Sequence, residues 1–287
     1  MSINYVGTAG KVKLLSGGGK IFTDIAARFV GSERSLDDIV ASKYDKQIVD
    51  HILKGGHKAA TEFDYFLFGI EGYSRVTEIQ LVRKRLASYM IKSGRKNKNG
   101  HRGFDVIIPQ SLIPINIHYK LNPKGITTRG GTSIYDICLE QFKEVYMDFD
   151  IWTILDIIDA WYHQGLNQNV PEEELRYMKP QATEFKAIIG MNAHALMDWF
   201  AIRCCQNAQT EIRDLAMKML RLCKNVAPDL FKYAGPSCKS LGYCPENQYQ
   251  NLHCVGNIPT QDEMKQILKE YKYKQQSQNR ERQNMSK

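Results

Sequence analysis

Residues 63–70, FDYFLFGI, carry aromatic and apolar side chains in the alternation of a strand, and the chain before them reads as helix. A strand set among helical segments restricts the fold to a mixed α and β class. KVKLL at 11–15 is short and β-competent, IFTDIAARF at 21–29 reads as a helix, and SLDDIVASKYDKQIVDHILKGG reads as two helices with Ser35 as a cap and Gly55-Gly56 as a stop. A further strand is expected at 104–109, in FDVIIPQSL. The stretch 113–131 shows strand-like alternation and two turn signals. From 133 onward Ile134, Ile137, Cys138, Phe142, Val145, Tyr146 and Phe149, then Trp152, Leu155, Ile158 and Trp161, recur at helical spacing: one long helix, or two with a bend near 148–150. Pro180 breaks the chain before another expected helix, EFKAIIGMNAHALMDWFAIRC, with Phe185, Ile188, Ile189, Leu196, Trp199 and Phe200 as its core.

The most cation-rich part is Gln80 to Arg95, QLVRKRLASYMIKSGR. Val76, Ile79, Leu81, Val82, Leu86, Tyr89 and Met90 fit one helical face, which predicts an amphipathic helix with Gln80 and Arg83 on one side and Arg85 and Ser88 elsewhere. Arginines at this density suit phosphate or carboxylate, because the guanidinium fork stays charged and offers paired donors. A solvated basic face accounts for the same residues. On the helix expected around 184–204, Asn192 and Arg203 are eleven positions apart and would share a side, as ligands or as a surface pair.

With 287 residues and 43% hydrophobic content the chain can bury a substantial core. It has no run of eighteen apolar residues and no apolar leader in MSINYVGTAGKVK, so a soluble cytoplasmic protein without a membrane span is expected. A net charge of +8 favours polyanionic partners, nucleotides and polyglutamylated cofactors among them. The seven cysteines are odd in number and form no dense framework, which points to reduced thiols. Cys238, Cys244, His253 and Cys254 have no CxxC pair among them, so no metal is expected. SGGGK at 16–20 lacks the spacing of a phosphate-binding loop.

The stretch at 80–95 resembles the RHRxxSxxxxSxR signature of the flavin-dependent thymidylate synthases, with Arg83, Arg85, Ser88, Ser93 and Arg95 in register and Lys84 in place of histidine. GHKAATEFDYFLF is similar to that family's GHxSxxEHxxFTF segment at His57 and Glu62, and RYMKP places Arg176 at a family arginine. NAHALMDWFAIRCCQNAQTEIRDLAMKML matches at Asn192, Leu196, Phe200, Arg203, Gln209 and Arg213. The resemblance covers about residues 11–246 and departs at Ala59, Lys84, Ile91, His194, Asp198 and Asn207.

That resemblance implies an α+β fold with an antiparallel-type central sheet flanked by long helices. It implies a single-domain subunit over 1–250 with an insert near 113–131, assembled as a homotetramer, followed by a polar tail at 251–287 that is partly helical or disordered. It implies conversion of dUMP to dTMP with FAD, NADPH as reductant and methylenetetrahydrofolate as one-carbon donor. Substrate would be bound by Gln80, Arg83, Ser93, Gly94, Arg95, Arg176 and Arg203. Flavin or the folate path would be met by His57, Arg83, Lys84, Arg85, Asn192, His194 and Asp198. Arg203, His57 and Ser93 would act in catalysis, with Ser93 as a binder, since no covalent nucleophile is needed. The departures keep two alternatives open: an enzyme methylating or hydroxymethylating UMP or dCMP, and a non-catalytic nucleotide-binding relative. Nucleic acid is not the expected partner.

Overall fold

The computed structural model describes residues 3–6, 8–18, 21–93, 104–120, 146–246, 254 and 258–285. Among them the elements are β1 (Ile3–Tyr5), β2 (Lys11–Ser16), α1 (Phe22–Val30), α2 (Leu36–Ala41), α3 (Lys46–Gly55), β3 (Tyr65–Ser74), α4 (Arg75–Leu81), β4 (Ser88–Ile91), β5 (Val106–Ile108), β6 (Ile117–Lys120), β7 (Tyr146–Phe149), α5 (Ile151–Asn167), α6 (Glu172–Leu175), β8 (Glu184–Asn192), α7 (Ala193–Arg203), α8 (Thr210–Val226), α9 (Ser237–Leu241) and α10 (Gln261–Met285). Within the range expected as one domain, the chain gathers into two compact units: Met1–Ala9, Ser74–Val76 and Lys92–Glu184 form one, and Gly10–Tyr73, Thr77–Ile91 and Phe185–Lys287 the other.

In the smaller unit β1 pairs in parallel with β5, Ile3 opposite Val106, and β6 pairs antiparallel with β7. Its core is Phe104, Val106, Ile108, Leu155, Tyr162 and Leu175. The helical reading of Tyr146 and Phe149 is corrected, because both lie in β7 and face β6. The break near 148–150 is a strand-to-helix boundary, not a bend between two helices: Asp150 accepts from the Thr153 backbone N–H at 2.8 Å and caps α5. Residues 131–145, including Ile134, Ile137, Cys138, Phe142 and Val145, lie outside the described residues.

The larger unit is built on a four-stranded sheet in the order β2-β3-β8-β4, with β2 antiparallel to β3 and β4 antiparallel to β8. Such a sheet among helices is the expected mixed class. Residues 184–192, expected as the first half of a helix, are instead the inner strand β8. Phe185, Ala187, Ile189 and Met191 are all buried in strict alternation, and hydrogen-bonding partners on both sides fix that period. A Cβ at Gly190 would stand 2.4 Å from the Tyr65 hydroxyl, so a side chain there would require the Tyr65 ring to shift. The buried side packs with α7 and α8 through Trp199, Phe200, Ile212, Leu215 and Met219.

Helix α1 begins without a local cap, because Ile21 precedes it. Asp64, forty-odd residues later, supplies one: its carboxylate accepts from the backbone N–H of Phe22 at 2.8 Å and of Thr23 at 3.0 Å, and from the Thr23 hydroxyl at 2.5 Å. Ser35 and Asp45 cap α2 and α3 locally, and Gly56 ends α3 in the left-handed region at φ 77°. The Asp64→Ala variant, which leaves three donors unmatched, two of them buried, should lose about 2–3 kcal/mol of unfolding free energy in urea titration; an unchanged midpoint would show that the cap is dispensable.

Candidate functional site

The cation-rich stretch is not one helix. Helix α4 ends at Leu81, a turn follows, and Ser88–Ile91 forms β4, with Tyr89 opposite Ile189. In so short a window the apolar spacing satisfied both periods, and the open edge of β8 decided for the strand. The turn is held from within: the Lys84 N–H donates to the Leu81 carbonyl at 3.2 Å, and the Tyr89 hydroxyl lies 2.9 Å from the carbonyl oxygens of both Leu81 and Lys84. Burial pushes the Tyr89 hydroxyl up to about 12, so it stays a neutral donor. Arg83 and Arg85 are left exposed and Lys84 half-buried.

Gln80 and Arg203 meet. Arg203, the last residue of α7, donates through Nη1 to Gln80 Oε1 at 3.1 Å and through Nη2 to the Gln80 carbonyl at 3.4 Å. Burial lowers the Arg203 pKa, and the nearby positive charge of Arg83 lowers it further. A half-buried guanidinium held at one end, with a second arginine close by, has its remaining N–H donors available to an anion. Asn192 does not share a helical stripe with Arg203: it is the N-cap of α7, its side-chain oxygen accepting from the Ala195 N–H at 2.8 Å.

A second group gathers on the first turns of α7. Asp198 lies 3.6 Å from Lys84 Nζ, 3.6 Å from Lys58 Nζ and 3.7 Å from His194 Nε2, while His194 Nδ1 is 3.1 Å from Glu62 Oε1. Two departures from the expected pattern, Lys84 and Asp198, thus face each other, and the charge that Asp198 introduces is balanced. His57 is exposed and directly precedes Lys58, while Arg85 is exposed on the turn. Ser93 and Arg176 belong to the smaller unit, where Arg176 is exposed and donates to the Glu173 carbonyl at 3.2 Å. Gly94 and Arg95 lie outside the described residues. The sequence did not single out Tyr89 or Lys58 for these roles, and it named Glu62 and His194 separately without pairing them; for Lys58 the available signal was adjacency to His57. Among the described residues no three histidine, cysteine, aspartate or glutamate side chains stand ready around a metal position.

Residues 20–229 match the family described as "Thymidylate synthase complementing protein". Proteins named flavin-dependent thymidylate synthase from Geobacter sulfurreducens and Nitratidesulfovibrio vulgaris are 33% and 37% identical, covering 77% and 75% of this chain and 84% and 78% of their own. The chain belongs to the flavin-dependent thymidylate synthase family. A relative of that name from Clostridium tetani is 37% identical over 76% of the chain and 80% of its own length. In fold the chain is also similar to a UMP/dUMP methylase, PolB, from Streptomyces cacaoi solved with 5-Br dUMP, at a TM-score of 0.59 and 17% identity over 81% of this chain and 96% of that one.

For this thymidylate synthase family member, the residue that holds the arginine turn is Tyr89. Tyr89→Phe should speed amide hydrogen exchange across 82–87 about tenfold and cost about 1 kcal/mol in thermal unfolding; unaltered exchange there would remove Tyr89 from that role.

Proposed function

We propose that the chain methylates the uracil ring of dUMP to give dTMP, and the joined Gln80 and Arg203 beside Arg83 support that reading most directly. It is a flavin-dependent methyltransferase, as its family membership implies. In our reading the flavin is FAD, the reductant NADPH and the one-carbon donor methylenetetrahydrofolate. The donor set fits such a group: Lys58, Lys84, Arg85, His57 and His194 offer cations and N–H donors to a dinucleotide's phosphates. Bound there, reduced flavin would supply the hydride and carry the one-carbon unit.

The chain's own residues would orient and stabilise. Arg203, held by Gln80, would donate to the uracil edge and offset negative charge on its oxygens. Arg83 would take the nucleotide phosphate; the family resemblance implies Ser93, Gly94, Arg95 and Arg176 as further substrate binders. Asn192 would act through the start of α7, and His57 would lie on the flavin or folate path.

Homotetramer assembly is part of the same proposal. The sheet of the larger unit leaves Leu15, Met90 and Ile188 exposed around an open hollow of about 490 Å³ rimmed by Lys11, Lys13 and Lys186. A solvent-facing apolar patch of this kind suits a subunit contact.

Purified protein should be yellow and bleach with NADPH; colourless protein that FAD does not reconstitute would overturn the enzyme reading. Product analysis with dUMP, UMP and dCMP tests the substrate, with dTMP expected as the main product. Arg203→Ala should cut turnover about 100-fold or more with the circular dichroism spectrum retained, and normal turnover would refute the site. Asp198→Asn, which frees Lys58 and Lys84, should tighten FAD severalfold by fluorescence titration; unchanged affinity would mean that these lysines do not meet the flavin.

A further inference from the structure

The turn that follows Arg203 is held from outside the two helices it joins. At a helix C-terminus the last carbonyls have no partner within the helix. In the last turn of α7 the Ala201 carbonyl finds one far along the chain, accepting from the Ser237 hydroxyl at 3.1 Å. Just past Arg203, the Asn207 side-chain amide donates to Glu246 Oε2 at 2.7 Å. Asn207 is one of the positions at which the chain departs from the family pattern, and Ser237 and Glu246 lie beyond the residues 20–229 that match it. From α8 the same turn is met by Arg213, whose Nη1 donates to the Gln206 carbonyl at 2.7 Å, and it ends at Gln209, which caps α8 by accepting from the backbone N–H of Glu211 at 3.1 Å and of Ile212 at 3.0 Å.

The segment 237–246 that reaches across is itself anchored. Gly242, in the left-handed region at φ 75°, donates its N–H to the Cys238 carbonyl at 3.0 Å and turns the chain after α9. The Cys244 N–H then donates to the Pro259 carbonyl at 2.7 Å, and Cys244 and Thr260 form a parallel bridge. Buried Thr260 opens α10 with a reciprocal cap: its N–H donates to Glu263 Oε2 at 2.9 Å, and its hydroxyl accepts from the Glu263 N–H at 3.2 Å. Glu246, shortly after the bridged Cys244, therefore offers Asn207 an acceptor whose backbone is already ordered, and little further conformational entropy opposes the contact.

We propose that Ser237, Glu246 and Asn207 form a strap that positions Arg203 for the nucleotide. The inference rests on Arg203 meeting the uracil edge, as proposed above. None of the three strap residues touches substrate; they act through Arg203. That arginine is the last residue of α7, where a helix frays. Gln80 holds the far end of its side chain but not the backbone from which it grows. The strap supplies the other half, fixing the last turn of α7 through Ala201 and the following turn through Asn207. With both ends held, the guanidinium fork keeps one direction. A group that must meet developing charge on a ring oxygen needs that constancy, since a displacement of about 1 Å can lower the rate about 100-fold. Sequence alone pointed elsewhere, because Ser237 and Glu246 are polar residues without a motif and only the fold brings them to α7.

The test uses the full-length flavin-loaded protein carrying Ser237→Ala and Glu246→Ala together. Its circular dichroism spectrum should match the wild type, amide hydrogen exchange across 203–208 should quicken about tenfold, and kcat/KM for dUMP should fall about tenfold. Bleaching of the flavin by NADPH without nucleotide, which does not call on Arg203, should keep its rate. Glu246→Gln, which retains an acceptor for Asn207, should turn over as the wild type does where Glu246→Ala does not. In an Arg203→Lys background, which keeps a charge but loses the fork, the same pair of changes should lower kcat/KM less than about twofold further, because no fork remains to be aimed. Wild-type exchange or wild-type kcat/KM in the doubly changed protein, bleaching slowed in step with turnover, Glu246→Gln as impaired as Glu246→Ala, or losses that add in full to those of Arg203→Lys would overturn the strap and leave the role of Arg203 standing. Normal turnover in Arg203→Lys and Arg203→Ala would overturn that role, and the strap with it.

Discussion

Asp64 sits where three elements of the larger unit begin, and its hydrogen bonds decide how they start. Its carboxylate caps α1, which has no local capping residue, and its carbonyl accepts from the Ala193 N–H at 2.7 Å at the entry to α7. It is itself the last residue before β3. A buried carboxylate is costly unless its oxygens are matched, and here the donors of a helix N-terminus match them. Through this one residue the start of α7 is tied to the sheet. The whole set of Asn192, His194, Asp198 and Arg203 therefore follows from a helix whose first turn is fixed twice, by Asp64 and by the Asn192 cap.

Beneath α7 the apolar packing is continuous. Phe66, Phe200 and Phe231 meet edge-on, with ring centroids 5.1 Å and 6.2 Å apart, and hold the helix against β3. The polar contacts on the outer side of α7 are of another kind. Asp198, Lys58 and Lys84 are part-exposed, and such pairs add little to stability. Their consequence is placement: they hold cations in one region without requiring a ligand to be present. Tyr89 does the equivalent for the backbone of the arginine turn, from a strand that is itself set by pairing with β8.

Helix boundaries with local chemistry were legible in the sequence. Ser35 and Gly56 each act within a few residues of where they stand, and the structure uses both. The strand at 63–70 was legible as well, shifted to Tyr65–Ser74. The stretches 80–95 and 184–192 were misread for one reason. Each has apolar residues at spacings that suit helix and strand alike, and pairing between β4 and β8, about a hundred residues apart, settles both at once. Of the site, the residue types and the family resemblance were visible, whereas the roles of Tyr89, Lys58 and the Asn192 cap were not.

By itself the sequence determined the mixed class, the local caps, the family to which the chain belongs and the identity of the cations gathered at Arg83, Lys84 and Arg203. These depend on side-chain chemistry and on neighbours within a turn or two. Tertiary structure alone decided that 88–91 and 184–192 became strand, which carboxylate capped α1, that Lys84 and Asp198 face each other, and that Gln80 holds Arg203. Each of these is a contact between residues far apart in the chain. The free energy that fixes it comes from long-range hydrogen bonding and shared burial, which no local pattern encodes.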